Sequence, residues 1–158
     1  MLIFDFDGVL MDSLPEMAVT AYSTLKGELV TKLDQIPEGA LESYFRNRFH
    51  IQAIGDAPVL MNWCLETGQS DHEKILSQEE YDSILREIDE PIVQRTTQFF
   101  EMRGRFKKKD IDAWLKLNAP VQPLWRGRCY TIWPTRRRTI WKYLLSMPIN
   151  SVLVFKGA

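Results

Sequence analysis

Two aspartates stand one residue apart, Asp5 and Asp7, at the end of the first apolar run, and Gly8 follows them. Side chains two positions apart on a β-strand share a face, so both carboxylates are expected in one crevice at the carboxyl end of that strand. Paired carboxylates suit phosphoryl transfer, in which one attacks phosphorus and the other carries the proton. We assign the attack to Asp5 and the proton transfer to Asp7.

A divalent cation must offset the repulsion between these carboxylates and a phosphate group. Hard Mg²⁺ prefers oxygen ligands, so the sequence predicts a Mg²⁺ site at the Asp5 and Asp7 pair. Gly8 supplies a backbone position that is free to take a positive φ where the strand ends, and it is a candidate substrate-binding residue.

The predicted order of elements is one strand followed by about a hundred residues of helix. The strand is Leu2 to Phe6, a short apolar run. Ser13 and Glu16 have the spacing of a capping box, and the helix that they open is expected to end at Gly27. A second helix is predicted around Leu41 to Phe49, and a third from Asp56 to Gly68, with Trp63 and Cys64 buried. A fourth begins at the capping box Ser77–Glu80 and is expected to break at Pro91. A last short helix is predicted to begin at Asp110.

The run Asp5-Phe6-Asp7-Gly8-Val9-Leu10, followed by Asp12-Ser13, resembles the first motif of the haloacid dehalogenase (HAD) superfamily. The resemblance implies that Asp5 forms an aspartyl-phosphate and binds Mg²⁺. It also implies that Asp7 is the general acid/base and a metal ligand through its backbone carbonyl. An acid at the second position is typical of the phosphatase and phosphomutase branch, which includes phosphoglycolate phosphatase and β-phosphoglucomutase types. The expected function is therefore hydrolysis of a small phosphorylated metabolite.

The same resemblance implies an α/β fold, a HAD-like Rossmannoid core with an inserted all-helical cap. Residues 1–13 are expected to form the first strand and catalytic loop of the core, and residues 14–117 the cap. Residues 118–158 are expected to form a return linker and a partial or aberrant core segment.

The basic end of the sequence lacks the residues that this family needs. Residues 1–112 hold 12 Lys and Arg against all 21 acids, a balance of −9, whereas residues 113–158 hold eight Lys and Arg and no acid, a balance of +8. The family requires a Ser or Thr, a Lys and an acidic pair after the cap. No acid pair can therefore complete the metal site, and we expect a weak or inactive phosphatase.

Two explanations for this basic end remain open. In the first, the chain leaves the family's reading frame near Pro123-Leu124 and stops early. In the second, the segment is a compressed core with a last strand at Val152 to Phe155, in which Thr135 supplies the hydroxyl and Lys142 or Lys156 binds phosphate. Composition favours the first.

Two functions of other classes stand beside the enzyme. A catalytically silent HAD-like protein would act as an interaction module and self-associate through exposed core surface. Arginines interleaved with aromatic residues from Trp125 to Tyr143 would suit nucleic-acid binding, but the acidity of the rest of the chain opposes a polyanion.

The remaining polar residues are interpreted as structural or solvated. His50 and His72 lack a metal-ligand partner at helical spacing, and Cys64 is expected in the core. Arg46-Asn47-Arg48 and Arg103-Gly104-Arg105 are candidates for binding an anionic substrate, although a solvated helix face is the favoured interpretation. Lys107-Lys108-Lys109 is expected to be exposed. No apolar stretch is long enough to cross a membrane, and a cytoplasmic location is expected.

Overall fold

The computed structural model describes residues 2–4, 11–68, 70–120 and 153–155. These residues belong to two compact units. One unit comprises Ser13–Asn118, and the other comprises Met1–Asp12 with Ala119–Ala158.

The unit Ser13–Asn118, called the helical unit below, contains six α-helices. They are α1 (Leu14–Lys26), α2 (Glu38–Asn47), α3 (Ala57–Thr67), α4 (Gln78–Arg86), α5 (Ile92–Lys109) and α6 (Ile111–Lys116). Short 3₁₀ helices cover Leu33–Gln35, Arg48–His50 and Ile54–Asp56. The helix predictions from the sequence are confirmed in outline, with α2 ending two residues before Phe49, which lies in a 3₁₀ helix and is 61% exposed.

Helix α1 begins after Ser13, but the predicted capping box is wrong, because the Ser13 side chain makes no cap bond to the helix. Glu16 instead lies buried and binds an arginine of α5. The predicted end of α1 is confirmed. Gly27 has a φ of 70°, a left-handed conformation that glycine adopts without the steric cost that other residues would pay.

The second predicted capping box is present at the start of α4. The Ser77 hydroxyl accepts a hydrogen bond from the Glu80 N–H, and the Glu80 carboxylate accepts one from the Ser77 N–H. The predicted break is also confirmed, since α4 ends at Arg86 and α5 begins at Ile92, directly after Pro91. Asp110 caps α6 through its carboxylate, which accepts from the Ala113 N–H at 2.9 Å.

The apolar core of the helical unit lies where α1 and α2 pack on α3 and where α5 packs on α1. Apolar residues on one face of each helix fill this core, which is what their helical spacing predicts. Trp63 is an exception, since it is only half-buried, whereas Cys64 is fully buried as predicted. The buried apolar side chains of these four helices are Met17, Ala18, Val19 and Ala21; Ala40 and Tyr44; Ala57, Val59, Leu60, Met61 and Cys64; Phe99, Met102 and Phe106.

A close approach between the 3₁₀ helix Ile54–Asp56 and α5 requires glycine at position 55. A Cβ on Gly55 would lie 2.6 Å from the Thr96 hydroxyl oxygen and 2.8 Å from the Thr96 nitrogen. The adjacent Asp56 forms an ion pair with Arg95 of α5, with Nη2 and Oδ1 2.8 Å apart. The first half of α5 is therefore fixed to this 3₁₀ helix by contact and by charge.

The predicted α/β Rossmannoid core is wrong for the part of the chain that the structure describes. Strand β1 (Leu2–Phe4) pairs antiparallel with β4 (Leu153–Phe155), and β2 (Met11–Asp12) pairs antiparallel with β3 (Ala119–Pro120). Each pair is a separate two-stranded sheet, and helix dominates the remaining described residues. A doubly wound core needs parallel strands joined by crossover helices, which two-residue and three-residue antiparallel pairs do not provide.

Within the described ranges, no helix combines the length and the apolar character that crossing a membrane requires.

Asn47 joins the end of α2 to the segment before α4. Its side-chain nitrogen donates to the carbonyl oxygens of Ser43 and Lys74, at 2.9 and 3.0 Å, and its side-chain oxygen accepts from the Leu76 N–H at 2.8 Å. The side chain is fully buried. Three hydrogen bonds to backbone groups therefore hold this loop against α2.

We predict that Asn47→Ala lowers the free energy of unfolding by about 1–3 kcal/mol, because the buried Leu76 N–H loses its acceptor. Asn62→Ala is the matched control, since Asn62 is exposed and its side-chain nitrogen donates to Glu66 on the surface. The control should change stability by less than about 0.5 kcal/mol. Denaturant unfolding of both variants measures the difference, and equal effects would contradict this role of Asn47.

Candidate functional site

The sequence-predicted catalytic residues lie outside the described residues. This applies to the acidic pair and its glycine, and equally to the three candidates in the basic end, so the structure neither brings them together nor separates them. Their positions are Asp5, Asp7, Gly8, Thr135, Lys142 and Lys156. The described strands β1 and β2 stand on either side of the acidic motif in the sequence.

Metal-binding side chains do not gather within the part of the chain that the structure describes. No group of three or more His, Cys, Asp or Glu side chains there is arranged to hold an ion. The predicted Mg²⁺ site therefore remains a prediction about Asp5 and Asp7. Their carboxylate and carbonyl oxygens are of the kind that Mg²⁺ prefers.

A buried charged cluster within the helical unit joins α1 to α5. Arg103 donates from Nε to one Glu16 carboxylate oxygen at 3.0 Å and from Nη2 to the other at 2.6 Å. The Thr20 hydroxyl donates to the first oxygen at 2.7 Å. The side chain of Glu16 is completely buried and that of Arg103 is 8% exposed. Both carboxylate oxygens therefore accept hydrogen bonds within the fold. Glu16 stabilises the packing of α1 on α5 and is not available for proton transfer.

Aromatic rings support the arginine of this cluster. The Arg103 guanidinium lies 5.1 Å from the ring centre of Phe99 and 6.0 Å from that of Phe100. Ring faces attract cations, and the attraction grows when water is excluded. The ion pair is therefore stabilised on both sides, by the carboxylate and by the rings.

Sequence reasoning missed this cluster, although its signal was present. Arg103 stands four residues after Phe99 and three before Phe106, so it occupies the apolar face of α5. A charge on an apolar helical face predicts a buried partner. Neighbouring residues do not identify that partner, because Glu16 lies 87 positions away.

Lys107 corrects the prediction that residues 107–109 are all exposed. Lys108 and Lys109 are exposed, but Lys107 is half-buried, with its ammonium 4.3 Å from the ring centre of Trp114. Burial lowers the pKa of Lys107, and the nearby charge of Arg103 lowers that pKa further. Lys107 is thus part of the α5 and α6 packing.

The two arginine-containing runs are exposed at some positions and buried at others within the helical unit. Arg46 and Arg105 are exposed, as a solvated face predicts. Asn47 and Arg103 are buried and bound to other parts of the unit, which neither interpretation of these runs anticipated. Arg48 is half-buried at the end of α2.

Both histidines have the structural roles that the sequence indicates. His72 is half-exposed, with Nε2 3.5 Å from a carboxylate oxygen of Glu42. His50 is buried, and its ring nitrogens lie 3.0 Å from the Leu76 carbonyl oxygen and 3.3 Å from the Gln78 side-chain oxygen. Neither is placed to act as a metal ligand in the described part of the chain.

The buried thiol and phenols of the core are poor acids. Burial raises the pKa of the Cys64 thiol to about 12, from an ordinary value of 9.0. Burial also raises the pKa values of the Tyr44 and Tyr81 hydroxyls well above their ordinary 10.0. All three side chains therefore stay neutral near neutral pH, and Cys64 lacks the thiolate character that a nucleophile needs.

Comparison with family models, with curated proteins and with solved structures gave no match.

Removal of one partner of the buried ion pair is expected to be costly. Glu16→Ala leaves Arg103 buried without its counter-charge and should lower the free energy of unfolding by about 3–5 kcal/mol. Glu66→Ala is the exposed control and should change stability by less than about 0.5 kcal/mol. The double variant Glu16→Leu with Arg103→Met should recover most of the loss, because a well-packed apolar pair leaves no buried charge.

Denaturant unfolding followed by circular dichroism measures these differences. A double variant as unstable as Glu16→Ala would show that the pair contributes more than charge compensation. A Glu16→Ala variant as stable as the control would contradict the burial of the pair.

Alkaline pH is predicted to destabilise the helical unit. Below about pH 9 the Cys64 thiol is protonated in both the folded and the unfolded chain, so burial of the neutral thiol stabilises the fold in full. Between about pH 9 and 12 the unfolded chain loses this proton while the folded chain retains it, so stability falls as pH rises. Unfolding measured at increasing pH should show this decline, with a smaller slope in Cys64→Ala. Stability that rises with pH in this window would contradict the burial of the thiol.

Proposed function

We propose that residues 5–13 are the catalytic motif of a Mg²⁺-dependent phosphate monoester hydrolase. Asp5 attacks phosphorus and forms an aspartyl-phosphate, and the alcohol departs with a proton from Asp7. Asp7 then takes a proton from the water that hydrolyses the aspartyl-phosphate. The substrate is a small phosphorylated metabolite, and the location is cytoplasmic.

The observation that carries this proposal is the way the helical unit is connected. After Asp5, Asp7 and Gly8 the chain passes through Met11–Asp12, builds Ser13–Asn118, and returns through Ala119–Pro120. These entry and return segments pair with each other, Met11 opposite Pro120 and Asp12 opposite Ala119. The helical unit is therefore an insertion with adjacent ends. Members of the HAD superfamily, which the motif resembles, include proteins with an all-helical cap inserted at this position.

Mg²⁺ would be held by the Asp5 carboxylate and the Asp7 backbone carbonyl, and it would offset negative charge on the phosphate group. The sequence offers no acid after Asp112 to complete this site. The proposal concerns the motif and does not include a Rossmannoid core, which the described strands contradict. A weak or inactive phosphatase is the expected state of this chain.

Turnover of a generic aryl phosphate with and without Mg²⁺ tests the predicted activity. We expect the wild-type chain to show no more than a trace of Mg²⁺-dependent hydrolysis, because no acid after Asp112 is present to complete the metal site. Asp5→Asn should abolish any such trace, whereas the control Asp34→Asn, an exposed acid of the helical unit, should leave it unchanged. Efficient Mg²⁺-dependent turnover that Asp5→Asn abolishes would contradict the predicted weakness and support the assigned chemistry.

The encoding DNA provides a second test of the reaction class. We expect another reading frame after the codon of Pro123 to encode a strand ending in Ser or Thr, then a lysine, then a strand ending in paired acids. A chain translated in that frame should hydrolyse phosphate esters. If no frame continues in this way and Asp5→Asn changes nothing, the phosphatase assignment fails.

Exposed apolar side chains favour a second candidate, a catalytically silent interaction module. Phe49 is 61% exposed, Ile75 59% and Val93 74%. Sedimentation of the purified chain separates the two functions. Self-association that Phe49→Ser weakens would favour the module, and a monomer at all concentrations would favour the enzyme.

A further inference from the structure

Two exposed apolar side chains lie on neighbouring segments of the helical unit. Phe49 is 61% exposed and Ile75 is 59% exposed. Phe49 precedes His50 and Ile75 precedes Leu76, and the His50 Nε2 lies 3.0 Å from the Leu76 carbonyl oxygen. This contact holds the two segments together, so Phe49 and Ile75 belong to one region of the surface.

Exposed acidic side chains share this region. Residues 71–82 hold five acids against one Lys, a balance of −4. All five acids are exposed: Asp71, Glu73, Glu79, Glu80 and Asp82. In the part of the chain that the structure describes, only Glu80 among them forms an ion pair, with Lys74 at 3.2 Å. The exposed residues of 71–82, together with Phe49, are called the acidic surface below.

The charge of the acidic surface is spread along the chain and does not converge on a point. Among the described residues, no three His, Cys, Asp or Glu side chains are arranged to hold an ion. Spread negative charge beside exposed apolar groups suits an extended cationic partner that carries apolar groups of its own. The same charge repels polyanions, so it opposes nucleic acids and anionic membranes as partners.

A segment of the required chemistry is present in the same sequence. Residues 125–143 hold six Lys and Arg, no acid, and five Trp and Tyr. Arginine pairs with carboxylates and stacks on aromatic rings, so it can bind both the acids of the acidic surface and Phe49. Tryptophan and tyrosine rings bury large apolar areas, so they can cover Phe49 and Ile75.

We propose that the acidic surface of one chain binds residues 125–143, called the basic segment below, of a second copy of the chain. The contact joins two different regions, and every copy carries both of them. Association therefore closes into a dimer when both contacts form within one pair, and continues into larger assemblies when they do not. The inference rests on the interaction-module candidate and is independent of phosphate-ester hydrolysis.

Sedimentation of the purified full chain at rising concentration measures this association. We expect it to weaken at least about tenfold between about 0.05 and about 0.5 M NaCl, because salt screens contacts between exposed charges. Association through apolar contacts alone would not weaken over this range. A chain that is a monomer at every concentration in low salt would overturn the inference.

Two charge-changing variants test whether the two named regions meet. The surface variant, Glu73→Lys with Glu79→Lys, removes the negative balance of the acidic surface. The segment variant carries Arg136→Glu, Arg137→Glu and Arg138→Glu. Each variant alone should associate about tenfold or more weakly than the wild type. An equimolar mixture of the two should associate again, because the intact basic segment of the first then meets the intact acidic surface of the second.

The matched control is Glu28→Lys with Asp34→Lys, since both acids are exposed in the helical unit and lie outside the acidic surface. This control changes the total charge as much as the surface variant does and should keep wild-type association. The segment variant leaves the sequence of the helical unit unchanged, so its loss of association cannot come from a substitution that unfolds that unit.

Three results would overturn the inference. The first is association that survives both variants, which would leave an apolar interaction module in place without this contact. The second is a mixture of the two variants that does not associate. The third is a control that loses association as far as the surface variant does, because total charge and not the acidic surface would then be responsible.

Discussion

The ion pair between Glu16 and Arg103 determines how α1 and α5 can pack in the helical unit. It joins the first turn of α1 to α5 across 87 positions of sequence, with both side chains withdrawn from water. A buried charge without its partner is costly, so α1 and α5 are restricted to the packing in which these two groups meet. Arg95, just over two helical turns earlier, binds Asp56 and fixes the other half of α5.

These buried polar residues of the helical unit therefore stabilise its fold. Glu16 and Asp56 each bind an arginine, Asn47 bonds to backbone groups, and burial keeps Cys64 protonated. None of these groups offers the unoccupied acid and base that hydrolysis needs. The chemistry that the sequence suggests is confined to the acidic motif, and the helical unit is an insertion beside that motif in the sequence.

Local signals in the sequence predicted much of the helical unit. Ser77 and Glu80 form the expected capping box, Gly27 ends α1, and Pro91 separates α4 from α5. The same pattern at Ser13 and Glu16 gave a wrong prediction. The Glu16 carboxylate binds Arg103, far along the chain, instead of the start of its own helix. Local sequence patterns also did not predict how the strands pair. The apolar runs indicated strands, but they did not indicate that these strands would pair antiparallel. The candidate catalytic residues lie outside the described residues and remain predictions.

Unfolding of the excised segment 13–118 tests most directly whether its buried polar contacts suffice to fold it. We predict a cooperative thermal transition within about 5 °C of the midpoint of the same helices in the full chain, a shift equivalent to about 1 kcal/mol for a domain of this size. A segment that is helical but melts without cooperativity, or that is unfolded at room temperature, would contradict an independently folded unit. In that case the helices would depend on the rest of the chain.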